Sequence, residues 1–399
     1  MPRDNRQLMK YKFGAAQLFY WCTYCSFTTF FTSFIKDVHG VQAGTTGLLL
    51  ALFMLSTFPG QIIINYICDR FQNNRRVYMT AMPIILLLYF AIYFSPNIIA
   101  ISIFYIMLGM VQPALAVVLD TWVIRSFPEE PQAYGPIRSV GCISYATLAL
   151  LEGFAIEYVG YHITLILAVF FVAGGCITAF RTPEVPRYER IAKSRGKLKI
   201  NTVPNIMWLI VAILLFSGLG NLPLIQMANQ IFASLGGGVI HMSIAIFANA
   251  ASEFPTMQLS RKLSRYSAEA RLFAASVLYT ASTAVMFMAT SPILVIAMYS
   301  LNGMAYGLFL PARRQIITEK APKEAQNLMH GIGDAAYSSV GGVLGNTLSG
   351  NMLDRFGLKT MVGICGSVHA LAMGVSAIIY GKAKRRELAN DLRNRNCGT

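Results

Sequence analysis

Along the whole chain, rather than at one end, uncharged apolar stretches of bilayer-spanning length follow one another; "TTGLLLALFMLSTFPGQIIINYIC" at 45–68 is one. About 18 to 25 such residues make a helix that crosses roughly 30 Å of hydrocarbon, where each backbone polar group has to find its partner within its own segment. Composition agrees, with 55% apolar and 13% charged residues and a mean hydropathy of +0.51. Twelve spans are expected, at about 13–35, 43–67, 77–94, 98–123, 135–157, 163–180, 204–232, 239–260, 271–289, 292–311, 327–353 and 360–380. The first of them stays as a spanning helix, so no cleaved leader is expected.

The net charge of +15 would suit a nucleic-acid binder, but the placement of the charges excludes that reading. With the N-terminus inside, 29 of the 33 Lys and Arg residues fall on the cytoplasmic side, against Lys36, Arg355 and Lys359 outside. So steep an asymmetry is the signature of positive-inside insertion, with both termini cytoplasmic in the plasma membrane. The one remaining basic residue is Arg138, inside the fifth span. Seven cysteines, at 22, 25, 68, 142, 176, 365 and 397, show no ligand-like clustering. Cys22 and Cys25 have CxxC spacing inside an apolar span, where packing is the plainer role. No nucleophile constellation, metal cluster or phosphate loop appears, so neither an enzyme nor a cofactor is expected.

The chain repeats itself. "GFAIEYVGY" (153–161) and "GNMLDRFGL" (350–358) share a Gly, acid, Gly spacing, and the turns "FPEEPQ" (127–132) and "APKEAQ" (321–326) match as well. The offset, 194 to 197 residues, is half the chain, which implies a duplicated unit of the kind that builds many transporters. The expected fold is an all-α membrane protein of twelve transmembrane helices in two pseudo-symmetric six-helix bundles, residues 1–180 and 204–399. The polar linker 181–203 joins them. Gly341, Gly342, Gly345, Ser349 and Gly350 give the eleventh span a small-residue face for close packing.

Ionisable side chains inside hydrocarbon cost several kcal/mol unless paired or wetted, and each is a functional hypothesis. Five qualify: Asp120, Arg138, Glu152, Glu253 and Asp334. Residues 120 and 138 are equidistant from the turn at 129, so antiparallel helices bring them to one depth as a partly buried ion pair. Such a pair adds little net stability, which leaves a helix-positioning bridge as the competing role. As a recognition device, the planar guanidinium offers two parallel donors to a hydroxylated or carboxylated solute. Cys142 and Tyr145 stand four and seven residues on and share its face. Glu253 and Asp334 are expected to be buried carboxyls that load and release a proton. Glu152 lies nearer the outer surface and His330 at the inner edge, and both are weaker candidates.

The loop "NYICDRFQNNRR" (65–76) resembles the cytoplasmic signature of the major facilitator superfamily, although Asn65 and Gln72 replace its glycines. The resemblance implies a gating role for Asp69, Arg70, Arg75 and Arg76, echoed in the second half by Asp354 and Arg355. More specifically, "TTGLLLALFML", "YGPIRSVGCISYA" (134–146) and "SGNMLDRFG" (349–357) are similar to the lactose permease branch, the oligosaccharide:proton symporters. In that branch an acid of the fourth helix and an arginine of the fifth grip sugar hydroxyls, with an aromatic stacked on the ring. Carried over, those roles fall on Asp120, Arg138 and Tyr145, with Cys142 beside them. The second half departs from the branch: Asn302, Ala305, Tyr299, Asn221 and Leu224 stand at positions of its proton relay, and Glu253 is about one turn from its eighth-helix acid.

The expectation is a monomeric secondary active transporter that takes a sugar or oligosaccharide across with a proton by alternating access. Nucleoside:proton symport, or drug and metabolite efflux, are the alternatives, and a membrane sensor or scaffold stands in a different class. An efflux cavity would carry acids without an arginine clamp, and a sensor would carry a cytoplasmic domain.

Overall fold

The computed structural model describes residues 3–71, 73–127, 130, 133–184, 204–321 and 326–396. Most of the expected linker, the side chain of Asp69, Gln72 and parts of the two matching turns lie outside the described residues. Among those residues the secondary structure is helical without strands. The helices are α1 (Arg3–Tyr24), α2 (Phe31–His39), α3 (Ala43–Phe71), α4 (Asn74–Tyr93), α5 (Ile98–Ser126), α6 (Tyr134–Val159) and α7 (His162–Arg181). They continue as α8 (Asn205–Gln226), α9 (Ala228–Ser234), α10 (Val239–Lys262), α11 (Ala268–Phe287), α12 (Pro292–Lys320), α13 (Gln326–Asp334) and α14 (Gly341–Asn396).

Helices occupy all twelve expected stretches. Nine described helices are long and apolar enough to cross a membrane. One of these, covering Met329–Arg385, turns sharply at Gly357, whose φ of 77° only a residue without Cβ adopts freely. The first stretch is broken by a wide π turn at Cys25–Thr29, and a second π turn, Ala335–Val340, follows Asp334. Such turns leave a carbonyl unpaired and swing the next side chains off the helical register, which is why they accumulate at functional sites. Helix α12, which fills the tenth expected span, outruns its expected boundary of 311 and continues to Lys320. That brings Arg313, read from sequence as a loop cation, onto a buried helix face.

Two compact units emerge: Met1–Lys193 with Gly237–Phe247, and Ser194–Gly236 with Ala248–Thr399. The first is built on an aromatic core around Trp122, Tyr78, Tyr89, Phe13 and Phe31, all less than 2% exposed. Phe31 stacks on Tyr105 at 3.7 Å and Phe13 meets Trp122 edge-on at 5.2 Å. A polar seam runs through this core: Gln112 donates to Tyr89 at 2.6 Å and accepts from Thr28 at 2.8 Å, and Tyr89 passes the chain on to the Thr23 carbonyl. Every member is satisfied, so the seam fixes the α1, α4 and α5 register without a desolvation penalty. Residues 237–247, at the start of α10, pack with this unit, where Ser243 faces Gly153 of α6.

In the second unit the small residues of the eleventh span lie against α8: Gly341 approaches Gly218 and Gly345 approaches Leu219 at about backbone contact. The closest backbone approach of the first unit is between α3 and α5, where a Cβ on Gly60 would stand 2.1 Å from the Met110 carbonyl oxygen. Backbone, unlike a flexible side chain, cannot step aside. Gly60→Val is therefore expected to cost about 1 to 3 kcal/mol through overpacking. Thermal unfolding of the detergent-purified variant measures it, and an unchanged midpoint contradicts the crossing.

Candidate functional site

Arg138 and Asp120 do meet, with Arg138 Nε 3.9 Å from Asp120 Oδ1 and side chains 24% and 29% exposed. At that separation the pair is loose, and its other contacts define it. Gln17 of α1 donates to Asp120 Oδ1 at 2.9 Å, and Trp21, four residues on along the same face, donates its indole N–H to Gln17 Oε1 at 3.0 Å. The Trp21 ring lies under the guanidinium, 4.1 Å from Arg138 Cζ. Such a face-on contact offsets part of the cost of holding a cation away from water. Room for the indole comes from Gly141, where a Cβ would stand 2.4 Å from Trp21 Cδ1.

The shared face of α6 is as the spacing implies. Arg138 Nη1 donates to Cys142 Sγ at 3.3 Å. Tyr145 sits deeper, its ring 6.4 Å from Trp21 and perpendicular to it. The π turn reaches Tyr145 twice: Thr29 donates to its hydroxyl at 3.1 Å, and the Cys25 thiol donates to its carbonyl at 3.6 Å. Tyr24 adds a third ring, 6.4 Å from Tyr145. The result is a polar cluster of Asp120, Gln17 and Arg138 flanked by the rings of Trp21, Tyr24 and Tyr145. Gln17 and Trp21 went unnoticed in the sequence because neither is charged. A glutamine inside an apolar run, four residues before one of only three tryptophans, was the available signal.

One expectation is overturned. Asp334 is not a buried acid: its side chain is 56% exposed and pairs with Arg313 at 2.7 Å. The buried member is Arg313, 8% exposed, held between the rings of Phe309 and Tyr337, each 5.7 Å from its Cζ. Asp334 is its counter-ion, because the extra turns of α12 carry the cation inward. Glu152, expected nearer the outer surface of the membrane, is 1% exposed, on the same face of α6 as Arg138 and Tyr145, with neither oxygen bonded among the described residues. Glu253 is half-buried and engaged by its surroundings.

Where the resembling branch carries its relay, this chain has a neutral lattice. Asn302 donates to Asn221, Asn221 to the Tyr337 hydroxyl at 3.1 Å, and Asn249 to Asn302 at 3.3 Å. Tyr299 bonds the Leu224 carbonyl at 2.8 Å, and Ala305 is fully buried. Side-chain amides do not titrate at ordinary pH, so this lattice positions helices. His330, at the inner edge, lies 3.3 Å from Thr318. Of the signature residues, Arg75 donates its backbone N–H to Glu184 Oε2 at 2.6 Å and lays its guanidinium over Phe180, while the Arg76 N–H is capped by Asn73. Arg70, Asp354 and Arg355 are exposed.

A duplicated bundle of membrane-length helices with a charge cluster inside it is the build of a multi-pass membrane transporter. The Major Facilitator Superfamily model matches residues 14–346, and the chain belongs to that family. A curated relative, the maltose permease of Geobacillus stearothermophilus, is 21% identical over 384 residues, covering 89% of this chain and 95% of the permease. Among solved structures, the nucleoside transporter NupG superposes with a TM-score of 0.74 at 14% identity, covering 94% and 98% of the two chains. The POT family transporter PepTSo does so with 0.73 at 10% identity, covering 95% and 98%. At those identities the structural likeness is one of fold. The family and these neighbours are transporters rather than enzymes.

Removing Asp334 leaves Arg313 buried without its counter-ion. Asp334→Asn is expected to destabilise the protein by about 1 to 3 kcal/mol, below the full cost of breaking a buried pair because the acid is half in water. The exchanged pair Arg313→Asp with Asp334→Arg puts the new cation at the exposed position and should recover part of that loss in the same thermal assay; recovery absent from the double variant contradicts a direct pair.

Proposed function

We propose that the protein carries a sugar or oligosaccharide across the plasma membrane together with a proton, by alternating access, with both termini cytoplasmic. Two six-helix halves joined by residues 181–203 would expose the site in turn. The observation that carries this reading is the Arg138 cluster: a guanidinium and a carboxylate, each with hydrogen-bonding capacity left over, bounded by the indole of Trp21. A pyranose needs that combination, since its hydroxyls bond in the ring plane while its C–H faces stack on an aromatic. The maltose permease relative supports the same solute class. Asp69, Arg70, Arg75 and Arg76, with Asp354 and Arg355, would form the gating elements at the membrane faces. A proton that travels with the solute needs an acid away from bulk water, and Glu152, 1% exposed with neither carboxyl oxygen hydrogen-bonded among the described residues, meets that need. Three aromatic rings beside the clamp also fit a nucleoside, which makes uridine the control solute.

Proteoliposomes loaded with unlabelled maltose or uridine and given labelled solute outside measure exchange directly. The wild type is expected to exchange maltose in preference to uridine. Arg138→Ala removes hydrogen bonds from a charged donor worth about 1.5 to 3 kcal/mol each, so exchange should fall on the order of 100-fold. Exchange of uridine alone moves the assignment to nucleosides, and wild-type exchange by Arg138→Ala removes the site.

A further inference from the structure

Glu152 is the side chain that the site as described leaves without a purpose. It lies 14 residues beyond Arg138 on α6, roughly 21 Å along the helix, on the face that carries Cys142 and Tyr145. Its carboxyl is 1% exposed and neither oxygen has a hydrogen-bond partner among the described residues. Immediately next to it, Gly153 lets Ser243 at the start of α10 approach so closely that any Cβ there would overlap its hydroxyl. That hydroxyl is already committed to the Val239 carbonyl at 2.9 Å.

The titratable groups around Glu152 come from each element in electrostatic reach of it: Cys22 of α1, Cys25 of the π turn, Tyr89 of α4 and Tyr145 of α6. All four are uncharged in their ordinary neutral-pH forms, and among the described residues the carboxyl has no ion-pair partner. An ionised carboxylate sealed in such a place forfeits its hydration and receives nothing in return; a protonated acid forfeits far less. A purely structural acid would gain from a donor, and this one has none among the described residues. Leucine would fill the same space at lower cost.

We propose that Glu152 is the proton-carrying carboxyl of the transport cycle, coupled to the Arg138 site through Tyr145 and the π turn. This rests on the symport reading above. The proton leaves the carboxyl O–H for water on one side of the membrane and is replaced from water on the other, one proton per carboxyl per cycle. The contacts that couple the two places are already made. Tyr145 lies between Arg138 and Glu152 on one helix face, and its hydroxyl and carbonyl are both held by the turn that carries Cys25, a neighbour of Glu152. A carboxylate at 152 requires water, so losing the proton favours an arrangement in which the turn has moved away from α6. Movement of the turn shifts Tyr145, and with it the aromatic wall that borders the guanidinium.

Infrared difference spectra of the full-length protein in lipid, taken between acid and alkaline pH, test the charge state without any solute. The wild type is expected to show a protonated-carboxyl C=O band at neutral pH that is absent from Glu152→Gln and shifted by Tyr145→Phe. In proteoliposomes with maltose as the probe, Glu152→Gln should exchange maltose at the wild-type rate, while its accumulation ratio under an imposed pH gradient falls to unity. Glu253→Gln should retain accumulation, and Glu152→Leu should raise the thermal midpoint. A band unchanged by Glu152→Gln overturns the proposal, as does full gradient-driven accumulation by that variant. If the wild type does not exchange maltose, the sugar reading fails by itself, and the carboxyl band still decides whether Glu152 holds a proton. If Glu152→Gln does not fold, the Tyr145→Phe shift of the wild-type band decides it.

Discussion

A guanidinium cannot shed its charge, so every arrangement of the first unit has to accommodate Arg138. The residues around it are best understood as the several parts of that accommodation. Asp120 supplies the opposite charge, though at 3.9 Å it neutralises without locking. Gln17 occupies one lone pair of the acid and ties it to α1, and Trp21 lays a polarisable face under the cation. Gly141 exists as a gap so that the indole can reach α6. Three helices are thereby held in register by one charge. Because the guanidinium and the carboxylate are each incompletely used, the cluster retains capacity for a polar solute.

The second unit contains the same solution with its signs exchanged. Asp120 and Arg313 are 193 residues apart, and Arg138 and Asp334 are 196 apart, close to the repeat offset seen in the turns. In both units a cation on one helix meets an acid on the next, and an aromatic ring flanks the arginine. Each unit also has a π turn beside its cluster, Cys25–Thr29 in one and Ala335–Val340 in the other. Duplication has preserved the need for a buried arginine with an aromatic neighbour while the helix that supplies it has changed. The consequences differ. The first pair is partly exposed on both sides, whereas the second shields its arginine and puts only the acid in water.

How much of this could be read from the chain follows from the physics of each signal. Span lengths and charge asymmetry are properties of the bilayer, so the family fold was legible, and the equal spacing of 120 and 138 about one turn was enough to bring those two residues together. Burial of an individual acid was not legible, because it depends on where a helix ends and what the next element offers. Asp334 reads as buried because it falls inside the span expected at 327–353; with α12 running to Lys320, a cation lies inside and the acid outside. Glu152 reads as a residue nearer the outer surface, and its burial to 1% exposure comes from packing between elements that the chain alone does not reveal. Gln17 and Trp21 were missed because neutral side chains in an apolar run leave no charge signal, and only the third dimension sets them against an ion pair.

A solute site at Arg138 requires its face of α6 to be wet, and Cys142, exposed and 3.3 Å from the guanidinium, is the natural reporter of that. In a variant retaining Cys142 as its sole cysteine, a membrane-impermeant maleimide applied to membranes should alkylate it, and saturating maltose should slow the reaction while sucrose at equal osmolarity should not. A thiol that stays unreactive to the water-soluble reagent but is modified by a lipid-soluble one would place this face against hydrocarbon and contradict the account.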